Sequence, residues 1–269
     1  MTGRTPGPLR DARLPAGILA CISLLVAGWT LTLFPSLIRS VKEAFVQTDA
    51  GIGFAYLLYA LAYAAGSFGG GVLIERVGRK RILAGAALAN ALGLAGLGLA
   101  PTWALFLAAV MLSGLGAGAL EGGANGVVLD AYRDVRGRAM SLLHVSFGVG
   151  AFGAPLMVSL FLGLGVPWQA LAIGSGAAIT LLALGYWTAP VPSGRRTHDA
   201  AGSLADGAGP GVATSGVITP IGRRRPELLN GPMLLLGLAI AAYVASAIGI
   251  ASWVVRFLEP APLATATAA

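Results

Sequence analysis

The chain has 269 residues, of which 56% are hydrophobic, 40 are glycine and only 11% are charged. A soluble domain carries about 25% charged side chains, so this composition excludes a water-soluble globule, and its apolar content equally excludes a disordered chain. The net charge of +7 comes with only 7% aromatic residues and no interleaving of basic and aromatic positions, which gives no nucleic-acid platform.

Residues 1–13 read as a cytoplasmic tail containing Arg4, Arg10 and Arg13. The apolar run that follows, Leu14–Ile38, exceeds the roughly 7–15 residues of a signal-peptide core and is read as a retained first span. Further runs cover Gly51–Ile74, Ile82–Ala100, Trp103–Leu129, Ala139–Gly163 and Trp168–Ala189. Crossing ~30 Å of hydrocarbon takes about 20 residues of helix. None of the runs alternates apolar and polar as barrel strands do, so residues 14–189 are expected to form a six-helix membrane bundle.

The stretch 190–231 breaks the pattern. Pro190–Pro232 holds eight Gly, six Pro and three Ser in 43 residues, too little apolar surface to offset chain ordering, and is expected to be a flexible cytoplasmic linker. Residues 232–257 make a seventh apolar run, and 258–269 drift into Ala and Thr, which reads as a truncated tail.

Basic residues orient the spans. With the N-terminus inside, 15 of the 18 Lys and Arg fall on the cytoplasmic side, and Arg39, Lys42 and Arg256 on the other. Positive residues accumulate in cytoplasmic loops, so the net charge is a topology signal for a multi-pass protein of the cell (inner) membrane. Its primary partner is the lipid bilayer; no nucleic-acid partner is expected. The single Cys21 cannot form an intrachain disulfide, and His144 and His198 without a Cys/His cluster give no zinc site, so neither metal nor cofactor is expected.

Between spans two and three lies Gly71-Val72-Leu73-Ile74-Glu75-Arg76-Val77-Gly78-Arg79-Lys80-Arg81, read as a basic knot in a short glycine-bounded loop. Its spacing, together with six spans and a long inner loop, resembles the signature of the major facilitator superfamily, with Glu75 where the family usually has Asp. The resemblance implies an all-α fold of two inverted three-helix repeats and secondary active transport by alternating access. It also implies a cytoplasmic gate of Gly71, Glu75, Arg76, Gly78, Arg79 and Lys80, with Asp130 as an ion-pair partner, and a second six-helix half that this chain lacks.

Span four reads Gly114 to Asn125 with Glu121 inside it, and leads through Asp130, Arg136 and Arg138 to His144 and the Gly148–Pro155 run. This resembles the branch of fucose–proton symporters and related sugar transporters, in which an acid and an Asn one turn apart face the substrate cavity. Glu121 is the one acid deep within a span. A charge at mid-bilayer costs about 2.5–3.5 kcal/mol on insertion scales, and Asn125 lies four residues on, on the same face. Glu121 is therefore a candidate proton carrier or hydroxyl acceptor, against the alternative of a protonated side chain bridging helices. His144 is a candidate relay or solute ligand, against a packing role. Trp29 and Thr32 in span one and Tyr243 and Trp253 in span seven are candidate solute contacts, although aromatic belts also use Trp and Tyr. Two departures from that branch stand out: span one has no acid before Pro35, and Ala245-Ser246-Ala247 replaces the acid often found in span seven.

The expected function is proton-coupled symport of a small polar, sugar-like solute. The alternatives are a drug–proton antiporter, or a non-transporting scaffold or sensor if the chain is naturally half-length. No Gly-x-Ser-x-Gly and no pair of membrane acids is present, so an enzyme is not expected. Gly148-x-Gly150-x-x-Gly153 spells a dinucleotide fingerprint, but inside a membrane span it reads as helix packing.

Overall fold

The computed structural model describes residues 13–189 and Leu235, the side chain of Glu75 excepted. The chain divides into two units, Met1–Arg196 and Thr197–Ala269. The tail 1–12, the linker 190–231, the rest of the seventh run and the tail 258–269 lie outside the described residues. The described part of the first unit is helical throughout: α1 (Arg13–Ser36), α2 (Ile38–Phe45), α3 (Asp49–Val77), α4 (Arg79–Leu99), α5 (Trp103–Ala131), α6 (Arg136–Gly163) and α7 (Trp168–Thr188). All but α2 are long and apolar enough to cross a membrane.

Two boundaries depart from expectation. The first span stops at Ser36 because Pro35 supplies no N–H to the helix. The chain then re-forms a short polar helix, α2, that no apolar run announced. Its end is tied to α3 by the Lys42–Asp49 ion pair, and Thr48 caps α3 by accepting from the Gly51 N–H at 3.2 Å. The second departure concerns the basic knot. It is not a loop: Glu75 and Arg76 complete α3, Arg79 opens α4, and Gly78 alone joins them at φ +99°, a conformation that side-chain-bearing residues rarely adopt.

The packing follows an internal two-fold pattern. Exchanging α1, α3 and α4 for α5, α6 and α7 carries the α1–α6 contact onto α5–α3 and maps α4–α7 onto itself. Lipid tails remove the hydrophobic drive between spans, so association depends on close van der Waals approach. Glycine supplies it. A Cβ at Gly118 of α5 would collide with the Tyr63 carbonyl of α3, and one at Gly150 of α6 with the Leu25 carbonyl of α1.

Polar and aromatic groups secure the rest. Asn90 of α4 donates from Nδ2 to Thr30 Oγ1 of α1 at 3.1 Å and accepts from Ser113 Oγ of α5 at 2.9 Å, all three buried. At the Thr102 end of α5, Phe34, Phe45, Tyr56, Trp103, Phe106 and Trp168 form one ring cluster. Within it Trp103 stacks on Phe106 with centroids 5.2 Å apart.

Candidate functional site

Helix α5 is close-packed on two sides. Gly118 and Gly122 meet Tyr63 and Ser67 of α3, while Gly116 meets Asn90 of α4. A third side faces α1 through Phe106, whose ring centroid lies 5.9 Å from that of Phe34. Glu121 and Asn125 point between the α3 and α1 sides, and both remain only half-buried. This is the face that the glycines leave unfilled.

Three observations give the face its chemistry. Asn125 Oδ1 is buried without a hydrogen-bond partner, and so is the Tyr59 hydroxyl of α3. Buried polar atoms are normally satisfied, so an acceptor on α5 and a hydroxyl on α3 both lack the partner such groups usually have. Glu121 interacts electrostatically with both Tyr59 and His144. Tyr59 sits against Gly114, seven residues and so about 10 Å along the axis from Glu121. Asn125 lies one turn the other way, toward Asp130. The polar groups therefore form a column rather than a cluster.

His144 of α6 is exposed, and its Nδ1 lies 2.9 Å from the Met140 carbonyl. A carbonyl only accepts, so Nδ1 carries the proton and Nε2 is left to exchange one. Thr32 Oγ1 is spent on backbone, 3.0 Å from the Gly28 carbonyl and 2.9 Å from that of Ala151. Trp29 turns the other way: its Nε1 donates to Ser175 Oγ of α7 at 3.0 Å, and its ring lies beside Gly153. The structure thus sets Glu121 and Asn125 one turn apart on α5 with His144 of α6 within electrostatic reach of Glu121, leaves Thr32 in the α1–α6 seam, and sets Trp29 apart. Tyr243, Trp253 and the side chain of Glu75 lie outside the described residues.

Sequence reasoning missed Tyr59. A signal existed in the Tyr56, Tyr59, Tyr63 spacing, which places three phenols on one helical face of an otherwise apolar span.

At the other end of α5, Arg79 is buried beneath the helix. Its Nη2 donates to Asp130 Oδ2 at 2.6 Å, while Arg133 approaches Asp130 Oδ1 at 3.7 Å. Three basic residues follow Gly78 at the start of α4, where the helix dipole disfavours cations, and the Asp130 carboxylate offsets that for Arg79. Arg76 is exposed, Lys80 half-buried, and Gly71 lies on an open face. Among the described residues no group of three or more His, Cys, Asp or Glu could hold a metal ion.

The sequence profile of the Major Facilitator Superfamily matches residues 18–266. Among relatives, the Sodium-dependent glucose transporter 1 of Rattus norvegicus is 34% identical over 142 residues, covering 52% of this chain and 27% of that protein. The Xenopus laevis protein of the same name is 33% identical over 122 residues, covering 45% and 25%. The chain thus spans about a quarter of the length of these relatives. An uncharacterized 38 kDa protein of Thermoproteus tenax is 31% identical over 156 residues, 57% of this chain and 40% of that one. In structure, the chain is similar to the proton:xylose symporter XylE bound to 6-bromo-6-deoxy-D-glucose, with TM-score 0.59 at 16% identity over 68% of this chain and 46% of the other. It is also similar to an inward-facing, unoccupied bacterial homolog of the human lysosomal transporter Spinster, with TM-score 0.56 at 17% identity over 70% and 45%.

Proposed function

This chain belongs to the Major Facilitator Superfamily, a family of membrane carriers rather than enzymes, and from that premise we propose that it serves proton-coupled symport of a small, sugar-like solute. The observation that carries the reading is the pair of unpartnered buried atoms, Asn125 Oδ1 and the Tyr59 hydroxyl, on either side of Glu121. A polyol offers hydroxyl donors and acceptors at several positions, and can pair with Asn125 Oδ1 while touching the Glu121 carboxyl one turn away; Tyr59 stands farther along the same column. The names of the glucose-transporting relatives and of the xylose symporter support the same solute class. A drug–proton antiporter is less well supported, because a greasy substrate would leave Asn125 Oδ1 unsatisfied beside the Glu121 carboxyl.

In this reading Glu121 takes up the proton, and His144 Nε2 exchanges it with the cavity. Transport is alternating access about a site near mid-membrane. The Arg79–Asp130 pair belongs to the cytoplasmic gate, holding α4 to α5 in one state and loosening in the other. The N-terminus and the linker 190–231 are cytoplasmic, in the cell inner membrane.

The test uses Glu121→Gln, which keeps the side-chain shape but cannot ionise. Accumulation of solute against its gradient is expected to vanish, while exchange of labelled for unlabelled solute survives. Intact uphill uptake would end the carrier role, and equal loss of both activities would reduce Glu121 to a solute ligand. Because the glucose-transporting relatives are named for sodium, uptake is measured under a proton gradient without sodium and under a sodium gradient without a proton gradient. Drive by sodium alone would overturn proton coupling.

A further inference from the structure

The internal two-fold carries the α4–α5 contact onto α7–α1, yet the two contacts are built differently. Helices α4 and α5 meet without a gap, Gly93 against the Ser113 backbone and Gly116 against that of Asn90. Helices α1 and α7 approach closely at far fewer places. They are joined instead by side chains reaching across, Trp29 to Ser175 at 3.0 Å and Ser23 to Tyr186 at 2.7 Å. Helix α6 does not close the gap either: it packs on α1, as at Gly150 against Leu25, and makes little contact with α7. What remains is a cavity of about 710 Å³ with α1 as its floor and α6 and α7 as its walls.

We propose that this groove is a binding site for the acyl chain of a bilayer phospholipid. Its shape argues for a chain rather than a compact ligand. The lining runs along α7 from Ala170 to Leu182, about 18 Å at 1.5 Å per residue. That is close to the ~15 Å depth of one leaflet's hydrocarbon, and the groove follows the helix axis as a lipid tail does. Its chemistry argues the same way. Leu25, Met157, Phe161, Ala178 and Leu181 present only hydrocarbon and thioether, and the polar groups at Trp29 and Ser175 bond each other. A polar solute finds there only the Ser175 hydroxyl, which already accepts from Trp29. The mouth is bordered by membrane-spanning surface: Leu181 is 69% exposed and Ile22 40%. The surrounding bilayer supplies hydrocarbon of matching length.

Gly174 makes the site testable. It lines the groove, and a Cβ added there meets nothing within 4 Å, so Gly174→Leu fills the space without displacing backbone. Ala178→Leu, also an exposed lining residue, fills the next turn. Gly148→Leu, on an open face of α6 outside the lining, is the control. The protein is purified through repeated detergent exchange, and retained phospholipid is counted by native mass spectrometry. Wild type and Gly148→Leu are expected to keep one phospholipid; the double variant Gly174→Leu/Ala178→Leu is expected to keep at least tenfold less, with an unchanged or higher unfolding temperature. Phospholipid brominated along its tails gives a second readout, since quenching of Trp29 falls when the groove is filled. Equal retention in filled variant and control, no retained phospholipid in the wild type, or quenching unaffected by filling would each overturn the proposal.

Discussion

Tyr59 shows what a single side chain reveals only after packing. A phenol in an apolar span reads as a membrane-belt residue, and its sequence neighbours do not say whether its hydroxyl will find a partner. The structure buries it against Gly114 with none. Glu121 was legible for the opposite reason: a lone acid deep in a span carries an insertion cost whatever surrounds it. Trp29 was legible as an amphipathic residue but not in its direction, because the choice between Ser175 and the Glu121 face depends on which helix lies behind it. These differences make a sharp test. Removing an unsatisfied buried hydroxyl relieves a desolvation penalty, so Tyr59→Phe should leave the fold intact or stabilise it by about 1 kcal/mol. If the hydroxyl serves the solute, the same change raises the KM for uptake several-fold. Thermal unfolding in detergent and uptake kinetics, measured on one preparation, separate the two effects. A destabilised protein with unchanged KM would mean the hydroxyl is bonded within the fold.

At the scale of helices, the spans were legible because length and hydropathy suffice to place them, and the bilayer allows few alternatives. Their ends were not. Arg76 and Arg136 belong to helices that continue past the apolar runs, since backbone hydrogen bonding does not stop where hydrophobicity does. The polar helix α2 escaped for the same reason, being too short and too charged to register as a span. Which glycines carry the packing was also hidden, because 40 of them look alike in a sequence. Gly118 and Gly148 now differ sharply: a side chain at the first strikes the Tyr63 carbonyl, whereas one at the second meets nothing within 4 Å. Gly118→Leu should therefore push α3 from α5 and destabilise the protein by about 2–3 kcal/mol, while Gly148→Leu stays within about 0.5 kcal/mol of wild type. Unfolding temperatures and the monodisperse fraction on size exclusion report both. Equal behaviour would mean that α3 and α5 are not held by backbone proximity.

Across the whole six-span unit, the connection at Gly78 has a mechanical consequence. Helices α3 and α4 are joined by one residue, so the pair Asp49–Leu99 has no slack to give up when the chain is pulled. A tether lengthens by at most about 3.6 Å per extended residue, far less than the height of a span. Drawn out of a bilayer by a cantilever attached at the N-terminus, α3 and α4 should leave together as a hairpin in one rupture. Helix α1 should leave separately, because α2 and its flanking turns, Leu37–Thr48, can be stretched first. Inserting a ten-residue Gly/Ser spacer after Gly78 is expected to split the hairpin rupture into two peaks; two peaks already present in the unmodified protein would show that the joint yields under load.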